Sequence, residues 1–290
     1  MKDIPVTGKT MLTGLLGSPV AHSLSPLMHN TAYRMLGLDY VYLCFDVEEK
    51  KLSEAVRGLQ ACGIRGFNLT MPHKNRIMDL LDTCTPAARL VGAVNTVVQE
   101  DGKLIGHNTD GAGFWKAMEE AGTAAEGQQI VLLGGGGAAS AIAVQAALDK
   151  AAAVRIFLRQ NGRFYARTVR LAETLREKSS CDVQVCPLED TGLLAACVRK
   201  ADILINATPV GMVPDTESTL ITDRSLLHPA LTVADIVYHP QKTRLLSEAE
   251  QAGCRICPGL GMLLHQGAEA FRIWTGKKMP VDAIRKILFP

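Results

Sequence analysis

Two kinds of residue grouping along this chain could do chemistry. The first is a glycine loop, Gly134-Gly135-Gly136-Gly137-Ala138-Ala139, placed directly after the apolar run Ile130-Val131-Leu132-Leu133. Gly134, Gly136 and Ala139 fit the spacing G-x-G-x-x-G/A. In that pattern the first glycine permits a tight turn and the second lets backbone approach a pyrophosphate. The small third residue allows close packing of helix on strand. The helix that follows presents N–H groups and the positive end of its dipole to phosphates. Gly134, Gly135, Gly136, Gly137 and Ala138 are therefore expected to cradle a dinucleotide.

The second grouping is a set of four polar clusters at the ends of strand-like runs. They are Ser23-Leu24-Ser25-Pro26, Asn68-Leu69-Thr70-Met71-Pro72-His73-Lys74, Ala93-Val94-Asn95-Thr96 and Gly106-His107-Asn108-Thr109-Asp110-Gly111. Each sets small hydroxyls and amides beside a turn. Ligand sites in α/β folds form at the carboxyl ends of strands. One such cluster would be a loop; four in this position suggest a pocket for a small polyhydroxylated ligand.

The choice of dinucleotide is read at the end of the strand after the glycine loop. NAD binders usually place an acid there for the ribose hydroxyls. This chain reads Phe157-Leu158-Arg159-Gln160-Asn161-Gly162-Arg163, with no acid, and Arg159 stands where a 2′-phosphate would lie. A guanidinium offers phosphate a rigid fork of donors. Arg163 and Arg167 add charge from the next helix, so NADP is expected, with NAD as a second cofactor the chain could use.

These groups need a scaffold, and the apolar pattern supplies one. Met11–Leu16, Val41–Val47 and Gly66–Thr70 read as strands, alternating with helices at 26–36 and 52–62. Pro86–Gly92 reads as a short helix. Residues 95–107 read as a hairpin turning at Asp101-Gly102, a favoured tight-turn dipeptide. A second series follows: helix 111–122, strand 129–133, a long alanine-rich helix and strand 154–158. It continues through helix 163–177, strand 182–186, helix 193–198, and strands 203–206 and 232–237. Two helices split by 277–280 close the chain. Strands alternating with helices predict a doubly wound parallel sheet. The expected fold class is α/β: an N-terminal α/β substrate domain plus a Rossmann dinucleotide-binding domain. The boundaries fall at 1–110, completed by helices in 262–290, and at 111–261.

Composition narrows the class of function. The 290 residues are 47% hydrophobic and 21% charged, ordinary for a globular protein. A net charge of +2 gives no basic face for nucleic acid. The apolar stretch 138–153 is broken by Gln145, Asp149 and Lys150, so no membrane partner is expected. Met1-Lys2-Asp3-Ile4-Pro5 has no apolar signal core, which points to the cytoplasm. Cys254-Arg255-Ile256-Cys257 has redox or zinc spacing, but no second pair flanks it and it runs into a short strand. These two cysteines are read as core residues, and no metal site is expected.

The clusters, in this order, resemble the shikimate dehydrogenase family over nearly the whole chain. The matching pieces are Ser23-Leu24-Ser25-Pro26, Asn68 through Lys74, Gly92-Ala93-Val94-Asn95-Thr96, Asn108-Thr109-Asp110-Gly111 and the glycine loop. Asn206-Ala207-Thr208-Pro209-Val210-Gly211-Met212 and Gly259 through Ala268 complete the set. The wording near His265-Gln266-Gly267-Ala268-Glu269 looks closest to the quinate/shikimate dehydrogenase branch. The resemblance implies hydride transfer between NADP(H) and shikimate/3-dehydroshikimate, and quinate in addition, in aromatic amino acid biosynthesis or quinate use. It implies Lys74 and Asp110 as the catalytic pair. Ser23, Ser25, Asn68, Thr70, Asn95, Tyr238 and Gln266 would hold the ring's hydroxyls and carboxylate. Thr208, Val237, Gly259 and Met262 would help hold the dinucleotide.

A lysine suits the chemistry. Its ammonium can stabilise a nascent alkoxide and then donate a proton, and Asp110 would orient it and hold the substrate hydroxyl. Two departures bear on the cofactor: Leu158-Arg159-Gln160 stands where many NADP-type members have Asn-Arg-Thr, and Asn161 where the quinate/shikimate branch often has an acid. Dual cofactor use stays open. Two other readings remain: the same fold acting on another ring hydroxy or amino acid with NAD, or a non-catalytic dinucleotide-binding regulator. Retention of Lys74 and Asp110 speaks against the regulator. A monomer or homodimer is expected.

Overall fold

The computed structural model describes residues 5–289. Met1–Ile4, part of the stretch read above for a leader, and Pro290 lie outside the described residues. The strands are β1 (Met11–Gly17), β2 (Tyr40–Asp46), β3 (Gly66–Leu69), β4 (Thr83–Cys84), β5 (Thr96–Glu100), β6 (Lys103–His107), β7 (Gln129–Leu133), β8 (Ala153–Leu158), β9 (Asp182–Pro187), β10 (Ile203–Asn206), β11 (Thr232–Asp235) and β12 (Arg255–Cys257). The helices are α1 (Ser25–Leu36), α2 (Leu52–Ala61), α3 (Pro86–Val91), α4 (Asp110–Glu120), α5 (Gly137–Leu148), α6 (Tyr165–Lys178), α7 (Thr191–Val198), α8 (Arg244–Gln251), α9 (Gly259–Thr275) and α10 (Val281–Leu288). Two compact units divide them: Met1–Thr109 with Leu264–Pro290, and Asp110–Leu263.

The first unit is built on a mixed sheet of order β2-β1-β3-β5-β6-β4. β1 runs parallel to β2 and β3, whereas β5 is antiparallel to β3 and β6. The period-two alternation of β1 is visible in its core: Leu15 packs with Met28, Tyr33, Phe271 and Trp274 on one face, and Leu16 with Val56, Phe67 and Ile77 on the other. Helices α1, α9 and α10 cover the first face, α2 and α3 the second. Trp274 is 1% exposed and its indole N–H donates to the Val97 carbonyl at 2.9 Å. The hairpin turns where expected, with φ of 50° at Asp101 and 77° at Gly102, the pair of positive angles a tight β-turn of this kind requires.

The second unit is a wholly parallel sheet of order β12-β11-β10-β7-β8-β9. The order reverses between β7 and β10, the position where ligand crevices open in doubly wound sheets. Its core gathers Val131, Leu133, Leu204, Val233, Leu245 and Leu246, each contributing roughly 1.5–3 kcal/mol by burial. The alanine-rich α5 has no polar face and is buried on nearly every side. Its small residues let α4 approach closely, and the Trp115 indole donates to the Ile142 carbonyl at 3.1 Å.

Three local expectations differ from the structure. β11 stops at Asp235, not Val237, because the Val237 N–H turns back onto the Asp235 carboxylate at 2.9 Å. α6 begins at Tyr165, after a turn closed by the Gly162 N–H on the Arg159 carbonyl. The short helix α8, capped by the Thr243 hydroxyl, was not anticipated. Among the described residues no helix is long and apolar enough to cross a membrane.

Candidate active site

The glycine loop leaves β7 and enters α5. Gly134 adopts φ of +117°, and a Cβ there would stand 2.7 Å from the Ala207 carbonyl oxygen, so both conformation and space demand glycine. Gly136 is the N-cap of α5 and brings no side chain to its free N–H groups. A Cβ at Gly137 would meet nothing within 4 Å, and one at Gly136 would find only the Phe164 ring at 4.0 Å. The first turn of α5 thus faces open space with its donors unobstructed, the arrangement a pyrophosphate needs. The residues present fit a dinucleotide.

The loop after β8 carries the exposed Arg159. The Arg163 guanidinium lies 4.6 Å over the Phe164 ring, whose Cβ packs against Gly135. That stack keeps a second cation beside the glycine loop. One acid is present, and it lies two residues beyond β9: the Gln160 N–H donates to the Glu189 carboxylate at 3.3 Å. Its signal in sequence, an acid two residues past a strand, is too common to have found it.

Thr208 and Val237 sit at the neighbouring ends of β10 and β11. Thr208 donates its hydroxyl to Asn206 Oδ1 at 2.6 Å, and Val237 is 5% exposed. Tyr238, the next residue, is 42% exposed, and Gly259 and Met262 lie in the first turn of α9. Asp110 opens α4 and is buried at 6% exposure.

In the first unit hydrogen bonds join three of the expected ring-holding residues, Asn68, Asn95 and Gln266. Asn68 Nδ2 donates to the Asn95 carbonyl at 3.1 Å and to the Thr96 hydroxyl at 3.0 Å. Asn95 Oδ1 accepts the Thr109 N–H at 2.8 Å, while its Nδ2 donates to the Thr109 hydroxyl at 2.9 Å and to Gln266 Oε1 at 3.5 Å. The Ser25 hydroxyl faces that of Tyr42, and Ser23 faces the Cys44 thiol. Thr70 is held by its N–H on the Leu16 carbonyl, and the Lys74 carbonyl accepts the Val94 N–H at 2.7 Å, next to Asn95. The polar ends of β3, β5 and β6 thus tie down the Lys74 loop and Thr109, the residue before Asp110.

Sequence reading missed Tyr42, whose hydroxyl donates to Asn68 Oδ1 at 2.8 Å from a fully buried position; burial pushes its pKa well up. It reaches across β1, a contact that local pattern cannot reveal. Thr96 and Thr109 were in the quoted clusters but were not singled out. The histidines left without a role include His73, which is buried with Nε2 at 2.7 Å from the Val47 carbonyl. Cys254 and Cys257 are buried free thiols, and Cys254 Sγ donates to the His228 carbonyl.

A parallel six-stranded dinucleotide fold, on one chain with an α/β unit built around a buried amide and hydroxyl network, defines an oxidoreductase for a small polar substrate. Comparison with known proteins makes this particular. Residues 15–97 match the shikimate dehydrogenase substrate binding domain and residues 259–289 the shikimate 5′-dehydrogenase C-terminal domain. The shikimate dehydrogenase (NADP(+)) of Listeria monocytogenes serotype 4b (strain F2365) is 49% identical over 284 residues, covering 98% of this chain and 97% of its own. The crystal structure of Listeria monocytogenes shikimate 5-dehydrogenase in complex with shikimate and NAD matches with a TM-score of 0.96 at 49% identity, over 99% of each chain. Corynebacterium glutamicum quinate dehydrogenase in complex with NAD matches at a TM-score of 0.86 and 30% identity, over 96% of this chain and 98% of that one. The chain belongs to the shikimate dehydrogenase family. The resemblance drawn from the motifs and the expected α/β fold class are borne out.

Proposed function

We propose that this protein interconverts shikimate and 3-dehydroshikimate with NADP(H). Substrate binding is assigned to residues 1–110 with 262–290, and dinucleotide binding to 111–261. The observation that carries the reading is the buried network of Asn68, Asn95, Thr96, Thr109 and Gln266. It fixes carboxamides and hydroxyls beside the Lys74 loop, in a protein related over its length to shikimate dehydrogenases.

When bound, the dinucleotide supplies the hydride acceptor or donor at its nicotinamide ring. Ser23, Ser25, Asn68, Thr70, Asn95, Tyr238 and Gln266 hold the ring's hydroxyls and carboxylate and fix which carbon reacts. In the oxidative direction Lys74 Nζ takes the proton from the reacting hydroxyl. In the reductive direction its ammonium stabilises the developing alkoxide and returns that proton. Asp110 accepts a hydrogen bond from the substrate hydroxyl and orients the amine. Gly134, Gly135, Gly136, Gly137 and Ala138 hold the pyrophosphate, Arg159 the 2′-phosphate, and Thr208, Val237, Gly259 and Met262 the remainder of the dinucleotide.

Quinate as a second substrate is supported by the 30% identical quinate dehydrogenase. NAD as a second cofactor is supported by Asn161 and by the neighbours solved with NAD. The expected assembly is a monomer or homodimer, working in the cytoplasm. Steady-state assays with both acids and both dinucleotides test the reading. Turnover of shikimate with NADP+ at the highest kcat/KM is expected; no turnover in any combination would refute it.

A further inference from the structure

Asp235 is a buried carboxylate, 1% exposed, at the end of β11. Taking such a charge out of water costs several kcal/mol unless hydrogen bonds replace the lost solvent. Three donors do so here. Asp235 Oδ1 accepts the Val237 N–H at 2.9 Å and Asn206 Nδ2 at 3.0 Å; Oδ2 accepts the Thr243 hydroxyl at 2.8 Å.

The partners are not scattered. Asn206 is the register partner of Asp235 on the neighbouring parallel strand, so the two side chains leave the same face of the sheet. Asn206 Oδ1 in turn accepts the N–H of Thr208 at 3.1 Å and its hydroxyl at 2.6 Å. Asn206 Nδ2 also donates to the Val210 carbonyl at 3.1 Å, which closes the loop 206–210 on itself. The carbonyl of Ala207, inside that loop, is the group that bars a side chain at Gly134. On the other side, the carbonyls of Ile236 and Val237 pack against Gly259. One carboxylate therefore sets the loops after β10 and β11 and, through Ala207, borders the glycine loop.

An anchor for α8 would need only the bond to Thr243, its N-cap. The second oxygen, with two donors that each belong to a strand-end loop, is not explained by that task. We propose that Asp235 is a positioning residue for dinucleotide binding: through Val237 and Asn206 it fixes the two strand-end loops that hold the nicotinamide half of the cofactor. The proposal rests on the reading of Thr208 and Val237 as dinucleotide contacts.

The test measures the dissociation constant of NADP+ by isothermal titration calorimetry, alongside thermal melting, for Asp235→Ala, Asp235→Asn and Asn206→Ala. Asparagine can keep the geometry, since its Oδ1 accepts from Val237 and Asn206 while its Nδ2 donates to the Thr243 hydroxyl. Asp235→Ala is expected to weaken NADP+ about tenfold, the effect of losing hydrogen bonds to a charged group. Asp235→Asn is expected to stay within about threefold of the parent. Asn206→Ala is expected to weaken binding about fivefold, because the link to Thr208 is cut while Asp235 keeps Val237 and Thr243. In assays at saturating NADP+, the KM for shikimate should not follow these changes. An Asp235→Ala protein that melts lower yet binds NADP+ like the parent would overturn the proposal. So would an Asp235→Asn loss as large as that of alanine. Should Asp235→Ala fail to fold, Asn206→Ala decides, and unchanged binding there is fatal. Because the readout uses dinucleotide alone, failure of the parent to oxidise shikimate leaves it intact; a parent that binds neither NADP+ nor NAD+ would overturn the functional reading and the proposal together.

Discussion

The two units bury polarity in opposite ways. The first spreads it over neutral groups: Tyr42, Asn68, Asn95, Thr96 and Thr109 satisfy one another, and one of its buried histidines, His29, is held neutral with its pKa lowered to about 3 by burial. The second leaves main-chain N–H groups beside glycine at the start of α5, and buries three carboxylates, Asp110, Glu248 and Asp235, of which burial pushes the Asp235 pKa up to about 6. The contrast follows the ligands. A polyhydroxylated ring asks for many donors and acceptors at fixed angles, whereas a pyrophosphate asks for N–H groups and room. The first unit should therefore be sensitive to side chains at the reacting carbon and the second to those that set charge and loop position.

The largest effect should come from the first unit. Lys74→Ala is expected to lower kcat by ~10²–10⁴, the range for losing a positioned acid–base group. The KM for shikimate should change far less, since the interaction lost belongs to the transition state. A pre-steady-state and steady-state comparison with the parent checks this. An unchanged kcat would remove Lys74 from the chemistry.

On the dinucleotide side the expected losses are smaller. Arg159→Ala should cut kcat/KM for NADP by about 10–100-fold, the value of a charge-assisted contact to phosphate. With NAD, which has no 2′-phosphate, the same variant should match the parent. Equal losses with both cofactors would mean that Arg159 supports the loop and does not read the phosphate.

How much of this was legible in sequence depended on range. The glycine loop, β7 and the Asp101-Gly102 turn were read correctly because each is set by adjacent residues: a glycine at φ +117°, an apolar run of four, two residues at positive φ. The polar clusters could be quoted for the same reason. Their joining could not, since Tyr42 meets Asn68 across an intervening strand and Asn95 meets Gln266 from 171 residues away. Glu189 and Asp235 were missed on the same ground: each acts on a loop from another strand. The end of β11 was overrun because Ile236-Val237 is as strand-like as Val233-Ala234, and only the Asp235 carboxylate turns the chain aside.

One buried ionisable group in each unit, His29 and Asp235, makes the comparison measurable by pH. His29 has a folded pKa of about 3 against 6.5, so between those values the unfolded chain binds a proton that the folded one refuses. Its contribution is complete above pH 6.5 and is lost as pH falls below it. Asp235, at about 6 against 3.8, does the reverse: the folded state binds the extra proton, and stability falls as pH rises from about 4 to 6. His29→Phe, which suits the stack with Tyr42 at 4.5 Å, should therefore gain on the parent as pH falls from 7 to 4.5. Asp235→Asn should gain on it as pH rises over the same interval, by about 2 kcal/mol. Calorimetric melts at both pH values read this directly. Two variants displaced from the parent by a constant amount would show that neither group titrates on unfolding.

The smallest expected effect sits beside Arg159. Glu189 places a carboxylate on the Gln160 N–H, at the edge of the turn that carries Arg159. A negative charge there repels the 2′-phosphate and is indifferent to a ribose hydroxyl. In exposed surroundings such a repulsion is worth no more than ~1 kcal/mol and is screened by salt. Glu189→Gln keeps an acceptor for Gln160 and removes the charge, so kcat/KM for NADP relative to NAD should rise by about threefold at low ionic strength. The gain should shrink as salt is added. A ratio that is unchanged, or that rises equally at all salt concentrations, would mean that Glu189 only braces the turn. The cofactor preference of the second unit would then rest on its cations alone.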